Sequence, residues 1–135
     1  MTAPTNRRDA GGDMIEKVLV GTDGSATAQR AVDRALAVAA GHQAALTVLA
    51  VGPDGDRIAQ DAVDGHAGSG AEVRALGATG DPARVLVAEA ERGGYDLLVT
   101  GNNGLTGLRR LVPMAKVPAK VAHHLPCSLL VVRTT

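Results

Sequence analysis

Leu97-Leu98-Val99-Thr100-Gly101-Asn102-Asn103-Gly104-Leu105-Thr106-Gly107 joins an apolar run to a glycine-rich segment. An apolar run without polar alternation reads as a strand buried on both faces, the kind found in parallel sheets covered by helices. The glycines after it read as a loop just ahead of a further helix, at the strand end where open α/β sheets keep their ligands. Residues without a Cβ let backbone N–H groups face a ligand, and a helix N-terminus beyond them favours an anion. Such loops are common, so this one does not identify a ligand without further residues.

Working outward, Lys17 to Val20 and Leu46 to Val51 repeat the buried-strand pattern, bounded by Gly21 and by Gly52-Pro53. Ala71 to Ala78 alternates, with Glu72 and Arg74 between its apolar residues, as a strand with a wetter face or an edge position does. Leu129 to Val132 completes the set of strands. Ala28, Ala31, Val32, Ala35, Leu36 and Ala39 recur at helical spacing, with Ser25 placed to cap the start and Gly41 to end the helix. Asp81-Pro82 opens a second helix that stops at Gly93-Gly94, and Pro118 opens a third that runs to about His124. Between residues 54 and 70 the chain is polar and glycine-dotted, with room for a short helix around Ile58, Ala59, Ala62 and Val63. Strands alternating with helices predict an α/β domain built on a parallel sheet with helices on both faces. Its ligand crevice is expected at the carboxyl ends, among Gly21-Thr22-Asp23-Gly24, Val51-Gly52 and Gly101 to Gly104.

The composition narrows the function classes. A chain of 135 residues makes one domain, here residues 15–135 behind a tail at 1–14 that carries Arg7 and Arg8 but no apolar stretch of a secretory signal. Fourteen basic residues balance fourteen acidic ones, so no net field steers the protein toward nucleic acid or an anionic membrane. Tyr95 is the only aromatic residue, which leaves no platform for stacking single-stranded bases. A single cysteine, Cys127, excludes an internal disulfide and fits a reducing compartment, so the expected location is the cytoplasm. No segment approaches a membrane span.

Among chemistry-bearing residues, Asp23 suits either a base amino group or a cation, and equally the plain strand-to-helix turn. Arg109 and Arg110 follow the glycines and offer forked donors to phosphate, although adjacent positions on a regular element cannot both face one ligand. Adjacent His123 and His124 are poor metal geometry, with His42 and His66 in separate segments, and no metal site is expected. Cys127 is expected to pack as a small apolar group. No Ser-His-Asp set, paired carboxylates or Walker pattern is recognisable, so the chain is not expected to be an enzyme.

The residues Val18-Leu19-Val20-Gly21-Thr22-Asp23-Gly24-Ser25, Gly80-Asp81-Pro82-Ala83, Asp96 to Gly101 and His123 to Arg133 together resemble the universal stress protein family, over Ile15 to Arg133. The resemblance implies a single-domain open parallel five-stranded sheet in the order 3-2-1-4-5, adenine nucleotide alpha hydrolase-like, with helices on both faces. It also implies a homodimer, here through the edge strand 129–132, and, in many members, bound ATP or another adenine nucleotide. Carried over by motif, Thr22 and Asp23 meet the base, Val51 flanks it, and Gly101, Asn102 and Gly104 approach ribose and phosphates. Family members that bind ATP continue with Gly-Ser at the start of the last helix. This chain has Ala115 and Lys116 there, with Val117 retained, after a spacer one residue longer than the common pattern. Ala115 adds a Cβ at a point of close approach, and Lys116 replaces the hydroxyl with a cation that either turns to solvent or holds an anion. Two readings follow: an adenine-nucleotide-binding regulatory protein of the stress response with an altered phosphate-binding segment, or a dimeric interaction module that binds no nucleotide.

Overall fold

The computed structural model describes residues 14–66, 70–111 and 125–133. Along the chain run β1 (Lys17–Thr22), α1 (Ala26–His42), β2 (Ala45–Val51), α2 (Gly55–Asp64), β3 (Glu72–Ala78), α3 (Pro82–Arg92), β4 (Leu97–Thr100), α4 (Asn102–Leu111) and β5 (Ser128–Val131). The strands form one sheet in the order β3-β2-β1-β4-β5, and every pairing is parallel. The expected architecture and strand order are therefore present, and each strand begins or ends within one residue of its expected bound.

Each sheet face has its own core. On one side Val18, Val20, Leu46, Val48 and Val99 meet Ala31, Val32, Ala35 and Ala39 of α1, whose small side chains let the helix lie close to the strands. On the other, Leu19, Leu49 and Leu98 meet Ala83, Leu86 and Ala90 of α3 and Leu105 and Leu108 of α4. Alternate residues of the central strands thus point to opposite cores, which is why their sequence is apolar without interruption. β3 lies at one edge, and its Glu72 and Arg74 are exposed, as its alternation predicted. Cys127 packs half-buried against the second core.

At the amino ends of the strands, the Asp96 carboxylate accepts from the backbone N–H groups of Glu16 (2.8 Å) and Lys17 (3.0 Å), tying the start of β4 to the start of β1. Beside it the buried Tyr95 hydroxyl lies within hydrogen-bond distance of Thr47 Oγ1 at 2.9 Å and of Glu89 Oε2 at 3.3 Å. Lys17 Nζ lies 4.7 Å from the centre of the Tyr95 ring. Burial, above all, raises the Tyr95 phenol above its ordinary pKa.

Two expectations about glycines are corrected. Gly41 does not end α1, which continues to His42 and is closed by Gln43 in the left-handed region at φ 56°. The Gln43 N–H donates to the Ala40 carbonyl and the Ala44 N–H to the Ala39 carbonyl, while Ala39 and Ala44 are both buried. This is the Schellman closure, with its usual apolar contact across the turn. The stop is placed by where Ala44 must re-enter the core, two residues past the glycine.

The glycine-rich segment after β4 is not a loop, because Asn102 to Leu111 is helical and holds Gly104 and Gly107 in its interior. Neither glycine has a positive φ. A Cβ on Gly104 would lie 1.7 Å from Thr100 Oγ1, so the helix starts tight against the strand end only because that Cβ is missing. At Gly107 a Cβ would meet Ala83 Cβ at 3.5 Å, where α4 crosses α3. These glycines serve packing rather than turning. The expected helix from Pro118 to His124 lies outside the described residues, as do residues 1–13 of the expected tail at 1–14 and Ala115, Lys116 and Val117.

Candidate functional site

β1 lies between β2 and β4, so chain connections leave it in opposite directions and a crevice opens above its carboxyl end. The β1–α1 turn forms one wall. Gly24 takes φ +84°, a conformation open to glycine at no steric cost, which lets the chain reverse straight into α1. Thr22 Oγ1 accepts the Gly24 N–H at 3.1 Å, Asp23 Oδ1 accepts the Ser25 N–H at 2.9 Å, and Ser25 Oγ accepts the Ala28 N–H at 3.1 Å. Hydrogen bonds from Ser25 hold the Asp23 carboxyl below the usual carboxylate range, against a smaller opposing effect of burial. Asp23 is exposed and ionised, with one oxygen already committed to the turn.

The opposite wall is the β4–α4 junction. Thr100 is buried, and its carbonyl accepts the Val132 N–H at 2.7 Å, while the Gly101 carbonyl accepts from Leu105 at 3.0 Å to open the helix. Gly101 has no side chain with which to cap that helix. By contrast, α1 is capped by Ser25 and α3 by Asp81, whose Oδ2 accepts the Arg84 N–H at 3.1 Å. Leu49 and Val51 of β2 contribute an apolar side, and Leu86 of α3 packs over Gly21, where an added Cβ would stand 2.9 Å from Leu86 Cδ1.

Between these walls lies a cavity of about 250 Å³. Thr22, Asp23, Val51, Gly101, Asn102 and Gly104 all line it, together with Ser25, Leu86, Thr100 and Arg110. N-termini of α1, α3 and α4 converge on it, through Thr27 and Ala28, Pro82 and Ala83, and Asn102 and Asn103. Helix N-termini carry partial positive charge, so this convergence offsets the carboxylate of Asp23 and suits an anionic group.

Residues 14–75 and 55–133 match the model of the universal stress protein family, so the overlapping matches take in nearly the whole chain. The chain belongs to the universal stress protein family. A universal stress protein solved in complex with cAMP is 36% identical to it, with a TM-score of 0.73, over 91% of this chain and 100% of that one. Rv1636 from Mycobacterium tuberculosis H37Rv is 35% identical, with a TM-score of 0.62, over 91% of this chain and 98% of that one. Universal stress protein YxiE of Bacillus subtilis (strain 168) is 28% identical over 149 residues, which span 89% of this chain and the whole of that protein. The sheet order is that of the adenine nucleotide alpha hydrolase-like fold of its universal stress protein neighbours.

In this universal stress protein the crevice thus unites residues that the sequence separates by about eighty positions, from Thr22 to Gly104. The three remaining candidates, Ala115, Lys116 and Val117, lie outside the described residues. Of the adjacent arginines only Arg110 lines the cavity, as helical geometry requires. Leu86 and Thr100 were missed as lining residues. A polar Thr ending an apolar strand just before glycine is a readable signal for Thr100, whereas Leu86 carries only the helical period of a core residue. Among the described residues, no helix is long and apolar enough to cross a membrane.

Proposed function

We propose that this protein is an adenine-nucleotide-binding regulatory protein of the stress response. The observation that carries the reading is the single cavity shared by the Asp23 turn and the N-terminus of α4. Its apolar side, Leu49 and Val51, suits a purine face, and Thr22 with Asp23 supplies polar partners for the base edge. The phosphate end is assigned to Asn102, Asn103 and Gly104 at the N-terminus of α4, which follows directly on Gly101. The cAMP complex of a relative 36% identical supports an adenine ligand.

The role is binding rather than catalysis. Asp23, a carboxylate held below its usual range, is a poor general base, because efficient bases lie near the working pH. Ala115 and Lys116, where ATP-binding relatives have Gly-Ser, weaken the hold on terminal phosphates and favour a smaller nucleotide over ATP. The protein acts in the cytoplasm as a homodimer through β5, which stands at the edge of the sheet, where a strand invites pairing with a second copy.

Calorimetric titration with ATP, ADP, AMP and cyclic AMP tests the reading. The expected result is tighter binding of AMP or cyclic AMP than of ATP, and gain of ATP affinity in Ala115→Gly with Lys116→Ser. No heat and no thermal stabilisation by any of the four at millimolar concentration would end it in favour of an interaction module that needs no nucleotide. A monomer mass by light scattering at working concentration would refute the dimer.

A further inference from the structure

Asp23 and Arg110 are the two charged side chains among the described residues that line the cavity. Arg110 sits in the last turn of α4, and its side chain is 70% exposed. It faces Asp81, the N-cap of α3, with Arg110 Nη2 and Asp81 Oδ1 3.9 Å apart. That separation is beyond hydrogen-bonding distance, and Asp81 already accepts the Arg84 N–H through its other oxygen. An exposed pair of this kind holds its partners only weakly.

Gly107 lies beside the guanidinium. An added Cβ there would lie 3.6 Å from Arg110 Nη2 and 3.5 Å from Ala83 Cβ, ordinary contact distances, which places the arginine head along α4 where that helix crosses the start of α3. Pro82 and Ala83, the first residues of α3, line the same cavity. Arg110 therefore stands between a weak carboxylate partner and an open cleft that lacks any other cation among the described lining residues.

We propose that Arg110 sets the preference of this cleft for anionic over neutral nucleoside ligands, and that Asp81 competes for it when the cleft is empty. The inference deepens the nucleotide reading and rests on it. A phosphate held at the α4 N-terminus takes the guanidinium from Asp81, exchanging a weak pair for a charge-assisted, forked contact. Asp81 opposes the ligand twice, as a competitor for the arginine and as a like charge beside the phosphate. It is also a cap, so the informative change is Asp81→Asn, since Asn caps a helix as well as Asp does while carrying no charge.

Binding of adenosine and of AMP is measured on the full chain for the wild type, Arg110→Gln, Asp81→Asn and, as a control for net charge, Arg84→Gln, an exposed arginine of α3 outside the cavity lining. Loss of a charge-assisted contact at a partly exposed site predicts about 5- to 20-fold weaker AMP binding in Arg110→Gln, with adenosine unchanged. Asp81→Asn tightens AMP about 2- to 5-fold without affecting adenosine, and raised salt narrows the gap between the two ligands in the wild type more than in Arg110→Gln. If adenosine and AMP both bind but Arg110→Gln weakens AMP no more than Arg84→Gln does, the arginine has no such role and the nucleotide reading stands. If neither ligand binds the wild type, both fall together.

Discussion

Changing Gly104 or Gly107 to alanine makes the same chemical substitution three positions apart on α4, yet the two are expected to differ in stability. Alanine is favoured over glycine inside a helix by about 1 kcal/mol, and this gain applies to both. At Gly107 the new methyl finds Ala83 Cβ at 3.5 Å and Arg110 Nη2 at 3.6 Å, ordinary contact distances, so the gain survives. At Gly104 it would coincide with Thr100 Oγ1, 1.7 Å away, with Thr100 Cβ at 3.1 Å behind it. Thr100 is 2% exposed at the end of a central strand, so its side chain turns only by displacing neighbours. Overpacking of this kind costs about 1–3 kcal/mol. The propensity term cancels in the comparison, so Gly104→Ala is expected to fall below Gly107→Ala by that amount, or by about 3–12 °C in Tm at roughly 3–4 °C per kcal/mol for a chain of this length. Denaturant unfolding followed by far-ultraviolet circular dichroism measures both. Adding Thr100→Ala to Gly104→Ala removes the colliding hydroxyl, and the cycle should show a favourable coupling of about 1 kcal/mol or more. Equal stability of the two alanine variants, or absence of that coupling, would refute the close contact between α4 and the end of β4 on which the shape of the cleft depends.

Gln43→Gly should stabilise the protein by about 1 kcal/mol, since a non-glycine residue in the left-handed region is strained by roughly that amount; a denaturant midpoint no higher than wild type would contradict the Schellman closure. Tyr95→Phe removes the hydroxyl bonded to Thr47 and Glu89 and should cost about 1–3 kcal/mol. Because the folded-state pKa of Tyr95 is raised above its ordinary 10.0, the neutral phenol is the form that the fold favours. Its contribution is complete below pH 10 and declines as pH rises through the higher folded value. With a single tyrosine in the chain, absorbance titration of phenolate reads it directly, and a midpoint at or below 10 would overturn the assignment.

Order along the chain, strand positions and the two-faced sheet were legible in local pattern. Runs such as Leu46 to Val51 must bury both sets of side chains, and Asp81-Pro82 caps a helix with its own atoms, so neighbouring residues suffice to read them. The candidate site was legible in part for the same reason, since Thr22 ends β1 and Asp23 and Gly101 directly follow strands. Gly41 shows the limit: its glycine suggested a helix end, but burial of Ala44 against Ala39 set the end elsewhere. Gly104 and Gly107 show it again, for they look like a flexible loop until Thr100 and α3 occupy the space where their side chains would be.

Hydrophobic period, turn chemistry and caps act over a few residues, and they were enough to dictate a doubly covered parallel sheet and the strand ends where a ligand is expected. Which ends meet depends on strand order, and strand order depends on how both apolar faces are covered at once. Only the packed molecule therefore decided that Asp23 and Asn102 share a cavity, that Leu86 lies over Gly21 beside it, and that Arg110 rather than Arg109 reaches its rim. Those are contacts between atoms far apart in the chain, and no local rule specifies them.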